Sequence, residues 1–277
     1  MLLFTVPIIT SAVACSGQDH TSTNPAIKIP NEGYVTPKER SGMQLVWSDE
    51  FSGEHLNLSD WKYEIGGHGW GNNELQYYQE KNAFTKDGYL VIQARQEPAG
   101  GKHYTSSRII TQGKREFQYG RIDIRAMLPK GQGIWPALWM LGNDIAVVDW
   151  PACGEIDIME MIGGEGKDNT LHGTAHWENA GSHTYHGGST QLRDNKIFAD
   201  EFHAFSIVWT PSFIIWYLDD KEYYRMDITT PELSEFHHKF YFIFNVAVGG
   251  NWPGNPDVST KFPQQMVVDY IRVFQNN

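Results

Sequence analysis

Three carboxylates, Glu155, Asp157 and Glu160, are packed into one short run, Gly154-Glu155-Ile156-Asp157-Ile158-Met159-Glu160-Met161-Ile162-Gly163. Like charges at such range push each other's pKa values apart, leaving one group ionised and another protonated near neutral pH. That division of labour suits covalent catalysis, in which a charged carboxylate attacks while a neutral one protonates the leaving group. The same residues also suit two plainer uses, a solvated acidic strand or a cation site.

Parity separates these uses. Acid and aliphatic alternate, so on a strand Glu155 and Asp157 share one face while Ile156 and Ile158 point to the other. Glu160 has the wrong parity, and a regular strand would drive it into the core beside Ile156. A single β-bulge near Ile158-Met159 inserts one extra residue and returns Glu160 to the acidic face. The sequence therefore predicts a bulge there, and a straight strand would remove Glu160 from the chemistry.

The surroundings are aromatic and amide-rich. Trp135 and Trp139, in Gly133-Ile134-Trp135-Pro136-Ala137-Leu138-Trp139-Met140, share strand parity and can face one cleft, with Asp149-Trp150-Pro151 following. Flat rings stack on the C–H faces of pyranoses. Leu171-His172-Gly173-Thr174-Ala175-His176-Trp177 puts His172 and His176 on one face; this reads as a hydrogen-bonding histidine near the acids in preference to a zinc pair. The segment from Trp70 to Tyr78 has the amides of a loop suited to hydroxyl groups. Paired carboxylates beside sugar platforms point to glycoside hydrolysis, which with retention needs a nucleophile and an acid about 5–5.5 Å apart.

These groups must be positioned by strands. From Gln44 onward, short β-branched and aromatic runs recur between Gly, Pro, Asn and Asp clusters, as in Tyr89–Ala94, Tyr119–Arg125, Ala204–Trp209 and Met266–Phe274. Asp219-Asp220 lies between two such runs and reads as a hairpin turn. There is neither a helix-period stretch of useful length nor a repeat of 20–50 residues. The expected architecture is all-β, one sandwich of two antiparallel sheets over residues 41–277. Of 277 residues, 40% are hydrophobic, enough for a sizeable core. The net charge of -11, without a basic stripe, excludes nucleic acid as a partner and disfavours sulfated galactans.

The N-terminus reads as processing. Residues 1–14 form an apolar run too short to span a bilayer, expected to be a signal peptide. Ala12-Val13-Ala14-Cys15 resembles a bacterial lipobox, although no Lys or Arg precedes the run and Ala12 replaces a larger aliphatic. Cys15 is then the lipidation site, and residues 15–40, rich in Ser, Thr, Asn and Pro, are expected to be a tether. Cys153 alone remains in the globular part, so no internal disulfide is expected.

The acidic run resembles the active-site strand of glycoside hydrolase family 16, in the laminarinase-type version with two residues before the second Glu. Licheninase-type members have one residue fewer there and a regular strand. Further matches are Trp47-Ser48-Asp49-Glu50-Phe51, Trp70 to Tyr78, Ser107-Arg108-Ile109, Trp135 to Met140, His172 to Trp177 and Asp269-Tyr270-Ile271-Arg272-Val273. Together they cover the chain from about Gln44 to Phe274.

The resemblance implies a β-jelly-roll sandwich with a concave cleft, cutting internal β-1,3-glucosidic bonds with retention. It makes Glu155 the nucleophile, Glu160 the acid/base and Asp157 the group that tunes the nucleophile. Trp135 and Trp139 would stack sugars on the non-reducing side, Asn72 and Arg108 would bond hydroxyls, and His176 with Trp252 would lie on the leaving-group side. Catalysis needs no cofactor. Many relatives hold a structural calcium on the convex face, and the matching positions are Glu50, Asp269 and the carbonyl around Gly88. The expected partner is a β-glucan, met by a monomer that touches membrane only through its lipid anchor, as a secreted cell-envelope lipoprotein. Cleavage of mixed-linkage glucan, or glucan binding without catalysis, are the competing readings.

Overall fold

The alternating and β-branched runs become strands wherever Gly, Asn and Asp clusters let the chain reverse, and seventeen of them form among the described residues. The computed structural model describes residues 29–277. The signal peptide over 1–14, Cys15 and the first part of the tether lie outside the described residues.

The cleft sheet runs, edge to edge, β12 (Ser182–Gln191), β11 (Thr170–Asn179), β10 (Glu155–Glu160), β9 (Ile134–Gly142), β16 (Phe240–Val248), β7 (Arg108–Ile110) and β2 (Lys62–Glu64). The outer sheet runs β15 (Lys221–Asp227), β14 (Phe213–Leu218), β13 (His203–Trp209), β8 (Gly120–Met127), β17 (Gln264–Asn276), β5 (Tyr89–Ala94) and β4 (Ala83–Lys86), with β1 (Met43–Asp49) also on β17. Neighbouring strands in both sheets pair antiparallel. A short parallel pair, β3 (Gln76–Tyr78) with β6 (Tyr104–Ser106), stands apart. The fold is the expected all-β sandwich.

Inward side chains of both sheets share one core, in which Ile156, Ile158 and Met159 meet Ile122, Ile207, Trp216 and Val273. The turn between β14 and β15 is Asp219-Asp220, both at positive φ (51° and 59°), the backbone a tight two-residue hairpin needs. One four-residue helix, α1 (Ile145–Val148), interrupts the strands just before the acidic run.

The tether over 15–40 needs correction. Its described part is bound to the outer sheet. Tyr34 N–H donates to the Phe202 carbonyl at 2.9 Å, and Phe202 N–H donates to the Glu32 carbonyl at 3.1 Å. Thr36 is buried, with its N–H on Tyr270 Oη at 2.8 Å, and Arg40 holds Asp123 at 2.8 Å. The folded domain therefore begins by about residue 29, not 41. Composition missed this because the segment is held by backbone hydrogen bonds and ion pairs, which leave no hydrophobic period.

Candidate active site

The acids share a face because β10 slips by one residue. Against β9, Asp157 lies opposite Trp139 and Met159 opposite Leu138, so Ile158 is the extra residue. Against β11 the register shifts between Asp157 and Glu160. The predicted bulge is present, and Ile156, Ile158 and Met159 all go into the core. Glu155, Asp157 and Glu160 all line a single cleft of about 910 Å³.

Each glutamate has its own indole donor. Trp150 Nε1 donates to Glu155 Oε2 and Trp135 Nε1 to Glu160 Oε1, both at 3.0 Å. His176 Nε2 lies 3.1 Å from Asp157 Oδ2 and 3.8 Å from Glu155 Oε1. From the outer sheet, Trp216 Nε1 donates to the Asp157 carbonyl at 2.8 Å, fixing the bulged backbone from beneath. Gly173 leaves room for this approach, since a Cβ there would sit 2.4 Å from the Trp216 ring.

Withdrawal from water pushes all three carboxyls up to about 8, and Asp157's charge adds to the burial effect at both Glu155 and Glu160. Among the described residues, histidine is the only basic side chain paired with them. Groups so close titrate as one system, and the trio holds protons between them at neutral pH. Glu160 can thus present a proton while Glu155, with one oxygen on Trp150, presents the other oxygen to an electrophile.

The six expected sugar-binding residues, Asn72, Arg108, Trp135, Trp139, His176 and Trp252, all line the cleft. Their roles differ in detail. Arg108 is sandwiched between the rings of Trp70 at 4.9 Å and Trp139 at 4.8 Å, and is bound to Glu64. One face of Trp139 is therefore taken by a guanidinium. Trp252 meets both Trp135 (5.6 Å) and His172 (5.0 Å) edge to face. Across the β10–β11 pair, His172 lies opposite Glu160 and His176 opposite Glu155.

Sequence reasoning gave no role to several residues of the site. Trp150 was visible in its Trp-Pro context, and only the structure puts its N–H on Glu155. His183, whose Nε2 lies 2.9 Å from His176 Nδ1, comes from β12 and has no motif. Glu74 and Asn245 also line the cleft.

The implied calcium ligands do not fit that ion. Arg272 takes both carboxylate oxygens of Glu50 at 2.7 Å, and Arg125 takes Asp269 Oδ2 at 2.6 Å. A cation taking the Glu50 oxygens would have to displace Arg272, and one on Asp269 Oδ2 would have to displace Arg125. The donor atoms of Glu155, Asp157 and His176 do gather within 4.8 Å, with Glu155 Oε2 taken by Trp150 and His176 Nδ1 by His183.

The model for the glycosyl hydrolases family 16 matches residues 70–272. The chain belongs to this family. It is a glycoside hydrolase, with the acids in place on the bulged strand. Over 251 residues it is 45% identical to a beta-glucanase of Rhodothermus marinus, covering 84% of this chain and 85% of that protein. It is 38% identical to glucan endo-1,3-beta-glucosidase A1 of Niallia circulans, covering 88% of this chain and 39% of that protein. Among solved structures, the catalytic domain of an endo-1,3-beta-glucanase (laminarinase) from Thermotoga petrophila RKU-1 superimposes with a TM-score of 0.78 at 47% identity. That match covers 85% of this chain and 98% of the other.

Proposed function

We propose that this family 16 hydrolase is a retaining endo-β-1,3-glucanase of laminarin-like glucans. Glu160 protonates the glycosidic oxygen as Glu155 attacks the anomeric carbon and the leaving chain departs. Glu160, now ionised, takes a proton from water, which attacks the glycosyl–enzyme and frees Glu155 with the anomeric configuration restored. Asp157, through its charge, adjusts the proton load on Glu155.

The observation that carries this reading is the one-residue slip at Ile158, which turns both glutamates into the cleft. The β-1,3 linkage is supported by the activities named for the Niallia circulans and Thermotoga petrophila relatives. Side-by-side hydrolysis of laminarin, curdlan and lichenan tests the linkage, and equal or faster cleavage of lichenan would overturn it. The configuration of the first-formed reducing end, followed by proton NMR, tests retention; an initial α-anomer would point to inversion.

The cell-envelope assignment belongs to the same proposal, resting on Ala12-Val13-Ala14-Cys15. Cys15→Ala is expected to move activity from the membrane fraction to the soluble one, and an unchanged distribution counts against the anchor.

A further inference from the structure

Buried hydrogen bonds run from the cleft wall to one carboxylate, and their direction is set by chemistry. Trp139 Nε1 can only donate, and it does so to Asn245 Oδ1 at 2.7 Å. The Asn245 amide must then present Nδ2 on its other side, where it donates to Tyr78 Oη at 3.1 Å. The proton of Tyr78 in turn goes to Glu74 Oε2, at 3.1 Å. Gln76 Nε2 donates to the same oxygen at 2.6 Å, while Gln76 Oε1 accepts from Val248 N–H at 2.8 Å, so this amide is oriented too. Burial pushes the Glu74 carboxyl up, and the Arg108 charge and the nearby Asn72 amide oppose that rise.

The members are almost without water: Gln76 and Tyr78 are 0% exposed, and Glu74 and Asn245 are each 6% exposed. A carboxylate in such a place is costly unless its lone pairs are used, and here several donors converge on it. Three of the residues expected to hold sugar, Asn72, Arg108 and Trp139, are thereby tied to one group that the reaction itself does not use. All three lie on the β9 side of the acidic strand, away from His176 on β11.

We propose that Glu74 is a positioning residue that presets this half of the cleft. It holds Trp139 through Tyr78 and Asn245, with the Asn72 amide nearby. The Trp139 ring then meets the sugar already clamped, with Arg108 on one face and Asn245 at its edge. Preorganisation of this kind lowers the ordering cost of binding and so acts on KM. The inference rests on the reading that the cleft takes a β-1,3-glucan.

The test is a double-mutant cycle on soluble β-1,3-gluco-oligosaccharides. Tyr78→Phe deletes the hydroxyl that joins Asn245 to Glu74 and is expected to raise KM about five- to tenfold, with kcat within about twofold. Trp139→Ala raises KM further. The double variant is expected to match Trp139→Ala alone, because Tyr78 acts through that ring. Multiplying effects, or a wild-type KM in Tyr78→Phe, would overturn the proposal. A merely structural role would lower the folded fraction, hence apparent kcat, and leave KM alone. Should Tyr78→Phe fail to fold, the near-isosteric Glu74→Gln enters the cycle; its combination with Trp139→Ala is expected to fall short of the product of the two single effects, because part of what Glu74 does passes through that ring, and full multiplication would overturn the proposal. Glu74→Gln keeps an oxygen for Tyr78, so its effect on KM is expected to be smaller than that of Glu74→Ala. A wild type that does not cut laminarin would sink the functional reading; a wild type that does, with multiplying effects, would sink this inference alone.

Discussion

Asp123 and Asp157 are the same residue type in the interiors of opposite sheets, 0% and 2% exposed, yet they keep opposite company. Asp123, on β8, receives Arg40 Nη2 and Arg121 Nε, both at 2.8 Å. Its negative charge is answered on the spot. Among the described residues, no guanidinium or ammonium pairs with Asp157, on β10; His176 lies 3.1 Å away and two acids are its neighbours. Burial without a counter-charge pushes its carboxyl up to about 8. The outer sheet uses its buried acid as a fastener, whereas the cleft sheet keeps its acids uncompensated and therefore reactive. The same contrast separates Glu50 and Asp269, each held by an arginine, from Glu155 and Glu160, each held by an indole N–H.

The comparison predicts different symptoms on the two sides. Glu155→Gln is expected to lower kcat on laminarin by at least about 10⁴-fold, and Glu160→Gln by about 10²–10⁴-fold, with thermal midpoints at or above wild type. A Glu155→Gln enzyme retaining a tenth of the wild-type rate would remove it from the chemistry. On the outer sheet the symptoms reverse. Arg121→Leu leaves Asp123 with only Arg40 and is expected to cost about 3 kcal/mol, read as a loss of roughly 6–12 °C in Tm, while kcat per folded molecule holds. An unchanged melting curve would show that the network is ornamental.

The pH dependence of stability sharpens the contrast further. Carboxyls raised in the folded state bind protons that the unfolded chain has released. Their contribution is complete below pH of about 4 and is lost as pH rises through about 8. Asp157→Asn removes one such group, so its Tm advantage over wild type is expected to grow by a few degrees from pH 5 to pH 8. A constant difference between the two proteins across that range would refute the uncompensated state. The smallest expected effect is that of chelation. With Arg272 on Glu50 and Arg125 on Asp269, excess EDTA should leave Tm where it was, and a fall of several degrees would restore the calcium site.

The acidic strand was legible in advance because parity is a local property. With Ile156 and Ile158 committed to the core, Glu160 could reach the cleft only through a bulge, and one residue of slip supplied it. The pairings were less legible. Arg125 and Arg272 lie on β8 and β17, far along the chain from Glu32 and Glu50, and nothing in their local patterns announces the partners. The segment over 29–40 was misread for the same reason, since its anchors, Phe202, Asp123 and Tyr270, all come from distant strands.

Taken alone, the order of residues determined that the chain would be all-β, which strand carries the acids, that this strand must kink, and which tryptophans flank it. These follow from alternation and side-chain volume, which act between near neighbours. Tertiary structure alone decided which indole each glutamate receives, that hydrogen bonds join Trp139 to Glu74 through Asn245 and Tyr78, and that Glu50 and Asp269 face arginines. Those outcomes depend on where remote strands fall beside one another, and that placement is settled only when the two sheets close over their shared core.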